Sequence, residues 1–193
     1  MPRRSEFDPA TALENAMKQF WLRGYCDTSL DDLVNATGVS RYGLYGTFGG
    51  KKELFLKALD NYRDGLVTRQ LGGLEVENAS WSDIEAYFDR LLALAQTPEG
   101  QAGCFMCNTA VELAPHDAEV AGKVEAHLWR FRRAFRRALR NAQRAGDLPR
   151  GVDTDEYADV LVGVAQGIFA LSRSSENLPI IRNLVKGALK MPH

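Results

Sequence analysis

The chain has 193 residues, a length that suits one domain or two small ones. Hydrophobic residues make up 45% and charged residues 25%, with a formal net charge of −1, so any nucleic-acid contact must come from a local surface and not from bulk charge. No apolar run is long enough to span a bilayer, the start MPRRSEFDPA lacks the apolar core of a signal peptide, and Cys26, Cys104 and Cys107 make no disulfide framework; a cytoplasmic chain without a membrane partner is expected.

Nearly every periodic stretch predicts helix. Asp8 is placed to cap a first helix with Pro9 at its first position, where a missing N–H costs nothing. Leu13, Ala16, Met17 and Phe20 then form one stripe, and Gly24 is expected to end it in a left-handed conformation. Ser29 or Thr28 caps a second helix, with Asp32 where a capping-box acid belongs. Gly38 closes a turn, and Ser40 caps a third helix that runs to about Phe48. Lys51 opens a fourth, fading near Gly72 and Gly73.

Further on, Ser80 caps a helix that stops at Pro98 and Gly100. A short apolar helix covers about 102–114, and a long one runs from about Asp117 to Ala145. In the long helix Val124, Leu128, Phe131, Phe135, Leu139 and Ala142 share one side. Arg132, Arg133, Arg136, Arg137, Arg140 and Arg144 share the other, with Trp129 among them; with Glu112, Asp117, Glu119 and Glu125 close in sequence, that side reads as a solvated face. Two more helices begin near Asp153 or Thr154 and at Asn177. With no strand pattern and no repeat, the expected fold is all-α: an N-terminal three-helix helix-turn-helix unit and a larger C-terminal bundle, about nine helices in all.

Residues 29–55, SLDDLVNATGVSRYGLYGTFGGKKELF, place two short helices around a glycine with a third directly after, the arrangement that puts one helix into the major groove of DNA. The residues Gly24-Tyr25, Thr28-Ser29, Leu33-Val34, Ala36, Thr37-Gly38-Val39-Ser40, Leu44-Tyr45, Thr47-Phe48 and Lys51 to Phe55 resemble the DNA-binding domain of TetR/AcrR-family transcriptional regulators. The resemblance covers roughly a quarter of the chain and implies a regulator that binds a palindromic double-stranded DNA operator as a homodimer; no paired carboxylates, nucleophile–base set or phosphate loop supports an enzyme, and a helical protein-binding adaptor is the other alternative. The regulator is expected to act as a repressor released by a small-molecule effector. The division expected is 1–55 as reading head, helix four (about 51–71) as connector and 56–193 as the sensing and dimerising body. No cofactor or metal is implied.

Within the head, Val39, Leu44 and Phe48 pack the reading helix, while Arg41, Tyr42 and Gly43 occupy its first turn. Arg41 is the candidate for a bidentate guanine contact. Ser40 caps the helix and leaves free N–H groups near the phosphates. Tyr45 and Thr47 are placed for a phosphate or a thymine methyl, Lys51 for a backbone phosphate, and the hydroxyls of Thr28 and Ser29 for the same strand. Gly43 and Gly46 lower the helix propensity of this segment, each by about 1 kcal/mol against alanine, so it is expected to firm up on DNA. Gly50 stands where the family often has a capping residue. Arg3, Arg4, Lys18, Arg23, Arg41, Lys51 and Lys52 face an equal number of acids in residues 1–55, so affinity should rest on a few placed contacts.

In the body, the helix 157–172 is apolar nearly all round and must be covered on both sides. Gly163 and Gly167 permit close approach of another helix, and Ile181, Leu184, Val185 and Ala188 add a second stripe; doubled by a two-fold axis, these make the expected dimer interface. Candidate effector-lining residues are Tyr87, Leu91, Cys104, Phe105, Cys107, Asn108, Glu112, His127, Phe131 and Gln166, which mix apolar surface with a few polar groups. The segment Gly103 to Asn108 resembles a GC-x-x-x-N start of the sixth helix in one branch of the family, where some members sense electrophiles or oxidants. Cys104 near a helix N-terminus is expected to have a lowered thiol pKa. Two small buried residues, a thiol switch at Cys104 and Cys107, and half a metal site all remain open for this pair.

Overall fold

The structure, a computed structural model, describes residues 7–174 and 177–190; Arg3 and Arg4 lie outside them. Among the described residues there is no strand. The helices are α1 (Pro9–Arg23), α2 (Leu30–Thr37), α3 (Arg41–Phe48), α4 (Lys51–Tyr62), α5 (Thr68–Glu75), α6 (Trp81–Leu94), α7 (Pro98–Gln101), α8 (Phe105–Glu112), α9 (Ala118–Ala145), α10 (Thr154–Leu171) and α11 (Leu178–Ala188). A π-helical segment, Arg63–Val67, fuses α4 and α5 into one rod, and α7 is a single turn, which leaves nine rods among the described residues. None of them is long and apolar enough to cross a membrane.

The capping residues do what their chemistry allows. The Asp8 carboxylate accepts from the N–H of Ala10 and Thr11, and Ser29 and Asp32 close a reciprocal box at the start of α2. Gly38 ends α2 in the left-handed region, at φ 70° and ψ 10°. Gly24 does not: its φ is 88° but its ψ is 172°, so the chain leaves α1 in a conformation reserved for glycine without completing the expected left-handed turn. A Cβ at Gly24 would stand 2.7 Å from Oε2 of Glu112, in the body.

Aromatic side chains tie the head to the body. Phe20 of α1 meets Phe55 of α4 edge-on at 5.0 Å, and Tyr25 meets Phe55 at 4.9 Å. Phe105 of α8 contacts both Phe55, at 5.6 Å, and Tyr62, at 5.7 Å. A second cluster, Tyr87, Phe88, Phe131 and Phe135, fills the space between α6 and α9. The π-helical segment turns wide where the Thr68 N–H and hydroxyl both reach the Arg63 carbonyl, which also accepts from Arg130 of α9.

The long helix α9 buries Val124, His127, Phe131, Phe135, Leu139 and Ala142, while Leu128 is only half-buried. Its arginines are not merely solvated. Arg132 pairs with Asp159, Arg136 and Arg140 reach Asp155, and Arg130 holds Glu75 at 2.7 Å. The acids therefore come from α10 and α5, across the bundle, and not from the sequence neighbours of α9. Arg132 also stacks over Trp129 at 5.1 Å.

Helix α10 is covered by α9 and α6 on one side and by α11 on another. Ile181, Val185 and Ala188, expected at a dimer surface, are buried within the protomer, because the apolar stripe of α11 is spent on α10 and α6. Leu184 is half-buried. The apolar residues left facing solvent here are Val160, 52% exposed, and Ile180, 51% exposed. Gly163 is exposed and Gly167 half-buried, with open space where a Cβ would stand at either.

Candidate nucleic-acid interface and effector cavity

Helix α3 is seated by Val39, Leu44 and Phe48, all buried, and this leaves Arg41, Tyr42, Tyr45 and Thr47 facing outward. Tyr42 is 90% exposed, an extreme value for a large ring that has an apolar body to hide. The Ser40 hydroxyl accepts from the Gly43 N–H, so it caps the helix. Gly43 is more than a weak helix former: a Cβ there would stand 2.8 Å from Cγ1 of Val39. The helix spans Arg41–Phe48 with both Gly43 and Gly46 inside it.

The flanking polar groups are partly committed. The Arg41 guanidinium is held by Asp31 of α2 at 2.8 Å, a partner the sequence reading overlooked although it lies on the adjacent helix. Thr28 is fully buried and its hydroxyl donates to the Gly24 carbonyl at 2.6 Å, so it cannot reach a phosphate. Ser29 is exposed, with its hydroxyl on Asp32. The Lys51 ammonium lies 4.2 Å from the Tyr25 ring centroid, and neighbouring Lys52 pairs with Asp117 at 2.6 Å. Gly50 offers no side-chain cap to α4.

Nine of the ten candidate effector residues fall into two groups, and Gln166 lines neither cavity. Tyr87 and Leu91 line an apolar cleft of about 300 Å³ with Leu66, Arg69, Gln70, Arg90 and Leu94. The Leu66, Arg69 and Gln70 side of this cleft comes from the π-helical segment and the start of α5, which the helical period of the sequence did not mark as special. Behind Tyr87 stand Phe131, His127 and Cys104, all buried; the Cys104 thiol is 3.8 Å from Nε2 of His127. The Tyr87 hydroxyl, Nδ1 of His127 and both side-chain polar atoms of Gln166 are buried without a protein partner. Phe105, Cys107, Asn108 and Glu112 instead face a groove of about 350 Å³ shared with Trp21, Leu22 and Arg173.

Two members of that second group are already satisfied. Asn108 donates to the Ala102 carbonyl at 3.1 Å, and Glu112 accepts from two backbone N–H groups of the head. Neither is left seeking a ligand. The expected low thiol pKa also fails. Cys104 is pushed up to about 11, because complete burial outweighs the nearby helix N-terminus, and burial raises Cys107 as well. Burial, then the charge of Arg130, lowers His127 to about 4, so the ring beside Cys104 is neutral and offers the sulfur no ion pair. Among the described residues no group of three or more His, Cys, Asp or Glu side chains converges as a metal site would.

The whole chain has relatives of this form. Residues 12–58 match the family described as bacterial regulatory proteins, tetR family, and residues 81–183 match the family described as tetracyclin repressor-like, C-terminal domain. The HTH-type transcriptional repressor ComR of Escherichia coli is 31% identical over 190 residues, covering 98% of this chain and 90% of ComR. YezE of Bacillus subtilis, an HTH-type transcriptional regulator, is 36% identical over 155 residues, 80% of this chain and 79% of YezE. A cysteine mutant of the TetR-family regulator CifR, solved with 26-bp operator DNA, superposes with a TM-score of 0.85 at 26% identity, covering 98% of this chain and all of that one. A helix-turn-helix head with an outward wedge, joined to a helical body of this kind, is the architecture of a DNA-binding transcriptional regulator, and the chain belongs to the TetR family.

Proposed function

We propose that two copies of this regulator grip a palindromic operator and that a small molecule taken up by the body releases it, so that the protein is an effector-responsive repressor. The observation that carries the reading is the exposed outer face of α3, where Arg41, Tyr42, Tyr45 and Thr47 all reach solvent and Arg41 is held only by its exposed ion pair with Asp31. Residues 1–55 act as the head and 56–193 as the body. The first turn of α3, capped by Ser40 on the Gly43 N–H, and the Lys51 ammonium face the phosphates, Gly43 keeps the backbone bare for close approach, and Ser29 joins them by giving up Asp32. The operator complex of CifR and the repressor role in the name of ComR support the same assignment.

The homodimer is assigned to the α10–α11 face, centred on Val160, Gly163, Gly167 and Ile180, because two heads are needed for two half-sites about 34 Å apart. The effector enters the cleft beside Tyr87 and Leu91, with the buried, unpartnered Tyr87 hydroxyl and, behind it, His127 Nδ1 as the polar groups nearest to hand. A coupling of about 1–3 kcal/mol between the two sites is enough for release. Sequencing the duplexes that the purified protein retains from a randomised library tests the reading. Enrichment of one palindrome, lost in Arg41→Ala, supports it; retention without sequence preference, or by Arg41→Ala as by the parent, overturns it.

A further inference from the structure

Helix α8 touches the head at both of its ends. Near its start, Phe105 packs on Phe55, which itself carries Phe20 and Tyr25. At its last residue, the Glu112 carboxylate accepts from the Tyr25 N–H at 3.1 Å and from the Cys26 N–H at 2.7 Å. Both donors lie in the turn between α1 and α2, past the end of the α1 ladder, which closes with the Gly24 N–H on Phe20. The bare α-carbon of Gly24 is what lets the carboxylate come this close.

The start of α8 belongs to the body's interior. Cys104 is its N-cap residue, with its thiol beside His127 and the Tyr62 hydroxyl. One rigid strut of eight residues, roughly 12 Å long, thus joins the neighbourhood of the unsatisfied Tyr87 and His127 groups to the turn that launches the reading helices. Further ties between head and body, among them the Trp21–Tyr62 ring contact and the Asn61 amide on Met17 Sδ, are of a different kind. Lys52 and Asp117 form an ion pair in which the lysine is well exposed and screened by salt, and the Trp21 indole donates to the Gly103 carbonyl at 3.2 Å. Glu112 alone sets a charge on two fixed backbone donors of the head, which gives direction as well as strength.

We propose that Glu112 is a positioning residue for DNA reading: it fixes the α1–α2 turn, and with it the pitch of α2 and α3, to the end of a helix whose other end stands beside the buried His127 ring, behind Tyr87. The inference rests on the regulatory reading above. Each head is held at one angle while α8 is in place, and the two heads of a dimer then fit one half-site spacing. A shift of α8 along its axis pulls the turn through these two hydrogen bonds.

The test uses the full chain as wild type, Glu112→Gln and Glu112→Ala, with the palindrome enriched by the wild type and versions of it lengthened or shortened by one base pair between half-sites. Glu112→Gln keeps one acceptor oxygen and loses the charge. It is expected to bind the best spacing about tenfold more weakly, with the same salt slope, and to discriminate less between spacings. Amide exchange at Tyr25 and Cys26 is expected to speed up in both variants while the rest of α1 keeps its protection. A merely structural role would lower affinity for all spacings alike. If Glu112→Gln keeps the wild-type spacing preference and the wild-type exchange at both amides, the positioning role is wrong while the regulatory reading stands. If the wild type enriches no duplex, both fall. Should Glu112→Ala fail to fold, the Gln variant and its exchange pattern decide the matter.

Discussion

The Arg41 guanidinium and the Asp31 carboxylate stand 2.8 Å apart across α2 and α3, at the surface expected to meet DNA. Arg41 must give up this partner to reach a base. Both side chains are well exposed, so the pair itself contributes little, on the order of 0.5 kcal/mol. Asp31 also places a negative charge where phosphates must approach. Asp31→Asn is therefore expected to bind the selected duplex more tightly, by about two- to fivefold at low salt, with the gain shrinking as salt rises. Titrations at two salt concentrations check this; equal or weaker binding by the variant would show that Asp31 orients Arg41 instead of withholding it.

Thr28 separates a structural hydroxyl from a phosphate-binding one. Its hydroxyl is buried on the Gly24 carbonyl, so Thr28→Val is expected to lower stability by about 1 kcal/mol. The dependence of DNA affinity on salt should keep its slope. A flatter slope in the variant, with unchanged melting, would return Thr28 to the DNA surface.

Exposed and buried apolar residues of the last two helices predict opposite phenotypes. Val160→Glu with Ile180→Glu should convert the proposed dimer to a monomer in sedimentation at micromolar concentration, with the protomer still folded. Ile181→Ala should instead destabilise each protomer by about 2–4 kcal/mol, because it opens a cavity between α11 and its own chain. A double glutamate variant that stays dimeric would move the interface elsewhere.

His127 gives the protein a specific response to mild acid. Its ordinary pKa of 6.5 falls to about 4 in the folded state, chiefly through burial. The unfolded chain takes up the proton first, so stability is lost as pH falls from about 6.5 to 4 and is unaffected by this group above that window. Between about pH 7.5 and 5 the loss is on the order of 2 kcal/mol. The lowered aspartates, Asp117 for example, lose their contribution only as pH falls below about 4, and the lowered glutamates, Glu75 for example, mostly below about 5, so they do not confuse the comparison. Melting temperatures of the parent and of His127→Gln at the two pH values check this; a decline of the same size in both would absolve the ring.

The head was legible because its signals are local. Asp8, Ser29, Gly38 and Ser40 each act within four residues of their own position, and the pattern of Val39, Leu44 and Phe48 reports one small core. What the sequence concealed depends on distant partners. Thr28 and Ser29 look alike as hydroxyls, and only packing of the turn buries one of them. The stripe of α11 is equally apolar whether it meets its own chain or another, so Ile181 and Val185 could not be assigned from period alone. Glu112 reads as one more polar residue near a cavity until Tyr25 and Cys26, eighty-odd positions earlier, are brought beneath it. The arginines of α9 found acids on α5 and α10, which no spacing along α9 reveals.

The tight fit between Gly43 and Val39 restricts how this chain can acquire a new target sequence. A side chain at position 43 collides with the rung beneath it, so that site is closed to recoding. On the proposed reading, variation falls to the exposed Arg41, Tyr42, Tyr45 and Thr47, and to Gly46, where a Cβ meets open space. A library that randomises those five positions and leaves glycine at 43 is where new DNA words for this helix are expected to be found.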